Sequence, residues 1–194
     1  METPERSEDK REIIFPPGAI AKLFASRTVL LFGEITTALA ERVGAQLLAL
    51  AAESDEPIRM LVHSPGGHVE SGDSIHDIIR YIEPEVRMIG TGWVASAGAA
   101  VFVAAKPACR FALPNTRFLL HQPLGGVGGA ASDIEIETRQ ILAVRERMNR
   151  IFARETNQPY EKIVADTQRN FWMNAVQARE YGLIARIIER HTEV

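Results

Sequence analysis

Apolar and polar positions alternate along this chain between strand-length runs and helical stripes. TVLLF (28–32) is a compact apolar run of strand length. From Thr36 or Thr37 to about Ala52, the residues Leu39, Val43, Leu47 and Leu48 share one helical face, with a threonine as the cap. IRMLVH (58–63) predicts a second strand and SPGG (64–67) a turn. Ile75, Ile78, Ile79 and Ile82 stripe a helix over roughly 72–82. VRMIG (86–90) predicts a third strand, followed by an Ala-rich helix from Ser96 to about Ala105. Short strands are expected near 109–112 and 117–120, then a glycine-rich bend at LGGVGGA. A short helix at Ala19–Ala25 follows the breaker Pro16-Pro17-Gly18. Near the end, a helix capped by Asn174 with Gln177 stops at Gly182 and precedes a strand, LIARII. Strands alternating with helices over the first hundred residues predict an α/β fold with a mostly parallel sheet.

One helix stands apart. Between Asp133 and about Glu155, Ile134, Ile141 and Met148 recur every seven residues, joined by Leu142, Ile151 and Phe152. Ser132 with Glu135 reads as a capping box at its start. Such a helix is on the order of 30 Å long. Its apolar stripe must be covered, either by the chain's own sheet or by a partner subunit.

Composition narrows the possibilities. The 194 residues suit one domain, expected over 19–194 behind a flexible segment 1–18 whose residues 1–12 form a polar tail. A net charge of −3 gives no general basic footprint, so nucleic acid is not an expected partner. The single cysteine, Cys109, excludes an intramolecular disulfide and suits a reducing compartment. The charged start METPERSEDKRE has no apolar leader region, and no run of about 18 apolar residues exists. A cytoplasmic protein without membrane contact is the expectation.

The candidate chemistry centres on TGWVASAGAA (91–100), where the hydroxyl of Ser96 sits among tiny side chains. GTGWVA (90–95) matches a dinucleotide fingerprint after a strand, but the acidic residue wanted about 20 positions on is missing from PACRFAL. No Walker loop, HExxH, CxxC or His cluster is present, so neither ATP use nor a metal is expected. VASAG carries only half of the hydrolase elbow G-x-S-x-G, because Val94 replaces the first glycine. A serine opening a helix still gains exposed backbone donors, and Ala97 N–H could face an oxyanion. The SPGG turn can bring further N–H groups close to a ligand. His121, in FLLHQP, ends a strand. Each of these features alone is more often structural than catalytic.

Taken in order, SPGG, VASAGAA, FLLHQPLGG, ASDIEI and YGLIARII resemble the proteolytic subunit of the caseinolytic (Clp) protease, over about 19–189. The spacings agree: 29 residues separate Gly67 from Ser96, and 25 separate Ser96 from His121. The resemblance implies a ClpP/crotonase-like spiral of β-β-α units with a protruding handle over about 122–155. It implies Ser96 as nucleophile, His121 as general base, and the N–H groups of Gly67 and Ala97 as the oxyanion hole. His68, Val69, Pro123 and Leu124 become extended edges between which a peptide adds as a strand. The handle stripe becomes an interface between two stacked seven-membered rings of a homo-oligomer. The implied activity is a serine endopeptidase acting on peptides and unfolded proteins. No cofactor is implied for this chain, ATP being used by an AAA+ unfoldase partner.

The third triad position departs from the family. Asp usually stands 49 residues after the histidine; here that residue is Asn170, implying a Ser-His-Asn triad, weak alone or switchable. Asp166, four residues earlier, is a possible source of charge. Phe171 stands where the family often has Arg, and Arg59 and Leu61 where it often has the tyrosines of the unfoldase pocket, while Tyr81 and Phe111 keep some aromatic character there. The alternative reading is a weakly active or inactive ring subunit that assembles with an active paralogue. A third reading, acyl-CoA chemistry on the related crotonase fold, does not call for a Ser96–His121 pair.

Overall fold

The structure, a computed structural model, describes Pro16 and residues 18–194; the tail at 1–12 and nearly all of the segment 1–18 lie outside the described residues. Helix α1 (Ala19–Ala25) leads into β1 (Thr28–Phe32), and three helices then return the chain for successive parallel strands. They are α2 (Thr37–Glu53) before β2 (Ile58–Ser64), α3 (Val69–Tyr81) before β3 (Val86–Ala95), and α4 (Ala97–Phe102) before β4 (Arg110–Ala112). The remainder comprises β5 (Arg117–Leu120), α5 (Ala131–Thr156), α6 (Tyr160–Thr167), β6 (Phe171–Asn174), α7 (Ala175–Tyr181) and β7 (Arg186–Ile187). The sheet runs β1-β2-β3-β4-β7, with β5 parallel to β3 and β6 antiparallel to β5. The α/β expectation with a mostly parallel sheet holds.

Alternation along β2 explains where the core lies. Ile58, Met60 and Val62 are fully buried, in one core with the helical stripes of Val43, Leu47 and Leu50 on α2 and Ile75 and Ile79 on α3. Arg59, Leu61 and His63, on the opposite face of the strand, are only half-buried.

Several element boundaries differ from expectation. α3 begins at Val69, directly after the turn, rather than near 72. β3 continues to Ala95, so GTGWVA lies inside a strand and forms no phosphate-binding turn; α4 is correspondingly only six residues long. α5 starts at Ala131, earlier than expected, with Ala130 as its N-cap and no side-chain cap. Ser132 is thereby inside the helix, and Glu135 pairs with Arg139 instead, so the expected Ser132–Glu135 capping box does not form. Of LIARII, only Arg186 and Ile187 are paired as a strand. The Asn174–Gln177 capping box does form, in both directions, and α7 ends on Gly182 in the left-handed region.

Gly182 joins two parts of the chain. Its φ is +91°, and a Cβ there would lie 2.4 Å from the carbonyl oxygen of Thr156, the last residue of α5. Gly182→Ala is expected to cost roughly 1–3 kcal/mol through backbone strain. Urea denaturation followed by circular dichroism checks this; an unchanged midpoint would show that the α5–α7 junction relaxes freely.

One irregularity in the sheet positions the site. Between Val62 and Ser64 the β2–β3 register shifts, and β3 bends at Thr91–Trp93 around the His63 ring. Before the bend, Met88–Gly90 pair with β4; after it, Trp93–Ala95 pair with β5. A bulge re-aims a strand. Here it delivers the end of β3 to the end of β5.

Candidate active site

Ser96 is the residue that the bend delivers. It sits between β3 and α4 with φ 56° and ψ −125°, a conformation that non-glycine residues rarely adopt. Its N–H donates to the Leu119 carbonyl (2.9 Å), and its own carbonyl accepts from Ala99 (2.9 Å) and Ala100 (3.2 Å). The strained residue is thus held from both sides. Ser96 is half-buried, whereas Ala97 to Phe102 behind it are buried. Small side chains allow this: Gly98 lies against Ser64, and Gly72 of α3 against Ala97.

The SPGG turn closes over the same point. Ser64 Oγ accepts from Gly66 N–H (3.1 Å), folding the turn back on its own side chain. A Cβ on Gly66 would lie 2.6 Å from Ser96 Cβ, and one on Gly67 would lie 2.4 Å from the Ile35 carbonyl oxygen; both residues have positive φ. Only glycine fits at either position. Gly67 forms a parallel bridge with Ile35, through Ile35 N–H to Gly66 and His68 N–H to Ile35 (both 2.8 Å). In a parallel bridge these bonds use the neighbours' groups, so the N–H of Gly67 itself points away from Ile35.

His121 follows β5, two residues beyond the carbonyl that holds Ser96. Its ring is half-buried, and desolvation alone pushes its pKa below the ordinary histidine value. The antiparallel register Leu120↔Phe171, continued by one residue, sets Asn170 opposite His121. Gln122 fastens this junction, its N–H donating to Thr167 (2.7 Å) and its amide to Gln168 (3.0 Å). Asn170 is exposed, and no charge or hydrogen-bond partner contributes to the His121 shift. Asp166 is engaged elsewhere. Its carboxylate accepts from Tyr181 Oη (2.7 Å) and Lys162 Nζ (2.5 Å), and burial together with that carboxylate keeps the Tyr181 hydroxyl protonated.

Gly67, His68, Val69, Pro123 and Leu124 share one cleft of about 280 Å³, bounded on the far side by Ile141 and Val144 of α5. The extended edge is shorter than expected there, because Val69 is already the first residue of α3. Phe111 also differs from expectation. It is buried with Ile89 and Ile188 under Leu61, while Tyr81 is exposed. Sequence reading missed α6 and β6, the elements that fix Gln122 and present Asn170; DTQRNFW offers too short an apolar run to announce a strand. Among the described residues, no group of three His, Cys, Asp or Glu side chains could hold a metal.

A family model described as Clp protease matches residues 18–191. The chain belongs to the Clp protease family. It is 53% identical to the ATP-dependent Clp protease proteolytic subunit 3 of Rhizobium etli, over all of both chains. It is 55% identical to the proteolytic subunit 2 of Gluconobacter oxydans, over 98% of this chain and 87% of that one. Among solved structures, an Asn-to-Asp mutant of ClpP1 from Listeria monocytogenes superposes with a TM-score of 0.83 at 49% identity, covering 89% of this chain and 96% of that one. No helix among the described residues of this Clp protease family member is long and apolar enough to cross a membrane.

Proposed function

We propose that this chain is a serine endopeptidase subunit that hydrolyses peptides and unfolded proteins inside a chamber of two stacked seven-membered rings, fed by an AAA+ unfoldase. Ser96 attacks the scissile carbonyl, His121 takes its proton, and Asn170 orients the imidazole. The N–H groups of Gly67 and Ala97 receive the oxyanion. A peptide lies along Gly67–His68 on one side and Pro123–Leu124 on the other, held by main-chain bonds that leave sequence selectivity loose. The observation that carries the reading is the strained Ser96, whose N–H is tied to the strand end preceding His121 and beside which the turn has room only for glycine. The first ten residues of α5 are all exposed, which supports a handle whose stripe another ring covers.

The second reading is a ring subunit with little activity of its own beside an active paralogue. An exposed Asn170 and a His121 without an acidic partner favour it. Relatives numbered 2 and 3 in their names support more than one such subunit in a cell.

A fluorophosphonate probe separates the two. Assembled rings are expected to label at Ser96, with labelling lost in Ser96→Ala. Unlabelled rings of full native mass would favour the scaffold.

A further inference from the structure

The strain at Ser96 must be held by its surroundings, yet α4 has only six residues, too few for a helix to persist on its own. Its upper turn is tied down by the bonds of Ser96 described above. At its lower end, the N–H groups of Val103 and Ala104 go to the carbonyls of Ala99 (3.1 Å) and Val101 (3.0 Å), passing over Ala100. The Ala100 carbonyl is met instead by a side chain from α3: His76 Nδ1 lies 2.8 Å from it. A carbonyl only accepts, so Nδ1 carries the proton. His76 is itself buried, at 5% exposure, and packs where α3 crosses α4.

We infer that His76 is a positioning residue for the nucleophile, acting by donating from Nδ1–H to Ala100 and so fixing the short helix on which Ser96 and Ala97 are mounted. The path is short. Ala100 N–H donates to the Ser96 carbonyl, and the Ala100 carbonyl accepts from His76. The same residue is joined at both of its peptide groups, one to the nucleophile and one to the neighbouring helix. Burial lowers the His76 pKa, which favours the neutral, singly protonated ring that this contact uses.

The inference rests on the peptidase reading for its kinetic consequence, but not for its structural one, so two measurements are needed. In His76→Phe, the ring volume is kept and the donor removed. Amide hydrogen exchange over residues 97–104 is expected to accelerate at least tenfold, with α2 and α5 unchanged. Fluorophosphonate labelling of Ser96 is expected to slow about tenfold, with kcat for a short peptide falling and KM held. His76→Asn, which restores an amide donor, is expected to recover part of the labelling rate, a rescue that simple loss of packing would not give. Unaltered exchange in α4 of His76→Phe would overturn the inference whether or not the protein is a peptidase. Should His76→Phe fail to assemble, His76→Asn labelling and exchanging like the wild type would support it, and His76→Asn exchanging ten times faster across α4 would overturn it. Wild-type rings that do not label, with faster exchange in the variant, would sink the peptidase reading alone.

Discussion

Asn170→Asp is expected to raise peptide hydrolysis by about 10²-fold, and at most by about the 10⁴ that the reverse change costs in a serine protease triad. The reason lies at His121. Burial disfavours its charged form, and nothing in its surroundings offsets that cost when it takes the proton from Ser96. A carboxylate across from the ring would stabilise the imidazolium and fix the tautomer that leaves Nε2 free. An amide supplies only a dipole. Position 170 is exposed, so the new charge loses little hydration, and Asp166 remains bound to Tyr181 and Lys162. The pH profile gives a second readout. A general base works deprotonated, so the acid limb of kcat/KM in the wild type should lie below the ordinary histidine value of about 6.5. In the variant it should move up. Profiles measured with a short fluorogenic peptide on rings of verified native mass check both. Equal rates and an unmoved limb would show that residue 170 does not face the imidazole.

How much of this was legible in the sequence depends on the range of the interactions involved. β1, β2, α2 and α7 follow from local patterns, with Thr36 accepting from Leu39 N–H and Asn174 closing a capping box. The extent of β3 did not, because its second half is a strand only by pairing with β5, beyond a bend at His63 that no local pattern encodes. The start of α5 failed for a smaller reason: its cap is a backbone conformation at Ala130, invisible to a search for side-chain acceptors. Ser96, Gly67 and His121 were singled out by motif, and the fold brings their segments together. His76 carried no motif. Its partner is a carbonyl 24 residues away, and only the crossing of α3 over α4 reveals it.

Arg110→Met is expected to cost about 3–5 kcal/mol, the largest loss of stability foreseen for a single side chain here. Arg110 is completely buried on β4. Its guanidinium donates to the carbonyls of Ala105 (2.8 Å), Val103 (2.8 Å) and Glu155 (2.7 Å), and to the Glu155 carboxylate (2.5 Å). Methionine fills similar space but takes the donor away from the three carbonyls, and a buried unmet acceptor is costly. Lysine should not rescue, because a single ammonium cannot reach a fan of acceptors that suits a planar fork. Arg80 and Arg154 also reach Glu155, which keeps the expected loss short of complete unfolding. The location decides the consequence. Val103 and Ala105 follow α4, and Glu155 is at the base of α5, whose outer half touches little of its own chain, so this knot anchors the helix to the body. Burial pushes the Glu155 carboxyl up, but hydrogen bonds from Arg154 and Arg110 outweigh it and hold the pKa below the usual carboxylate range. A depressed folded value means stability that is present above the unfolded pKa of about 4.3 and lost as pH falls through the folded one. Urea midpoints measured from pH 7 down to pH 3 should therefore fall less steeply in Arg110→Met than in the wild type. Parallel curves would mean that Glu155 does not depend on Arg110 for its charge.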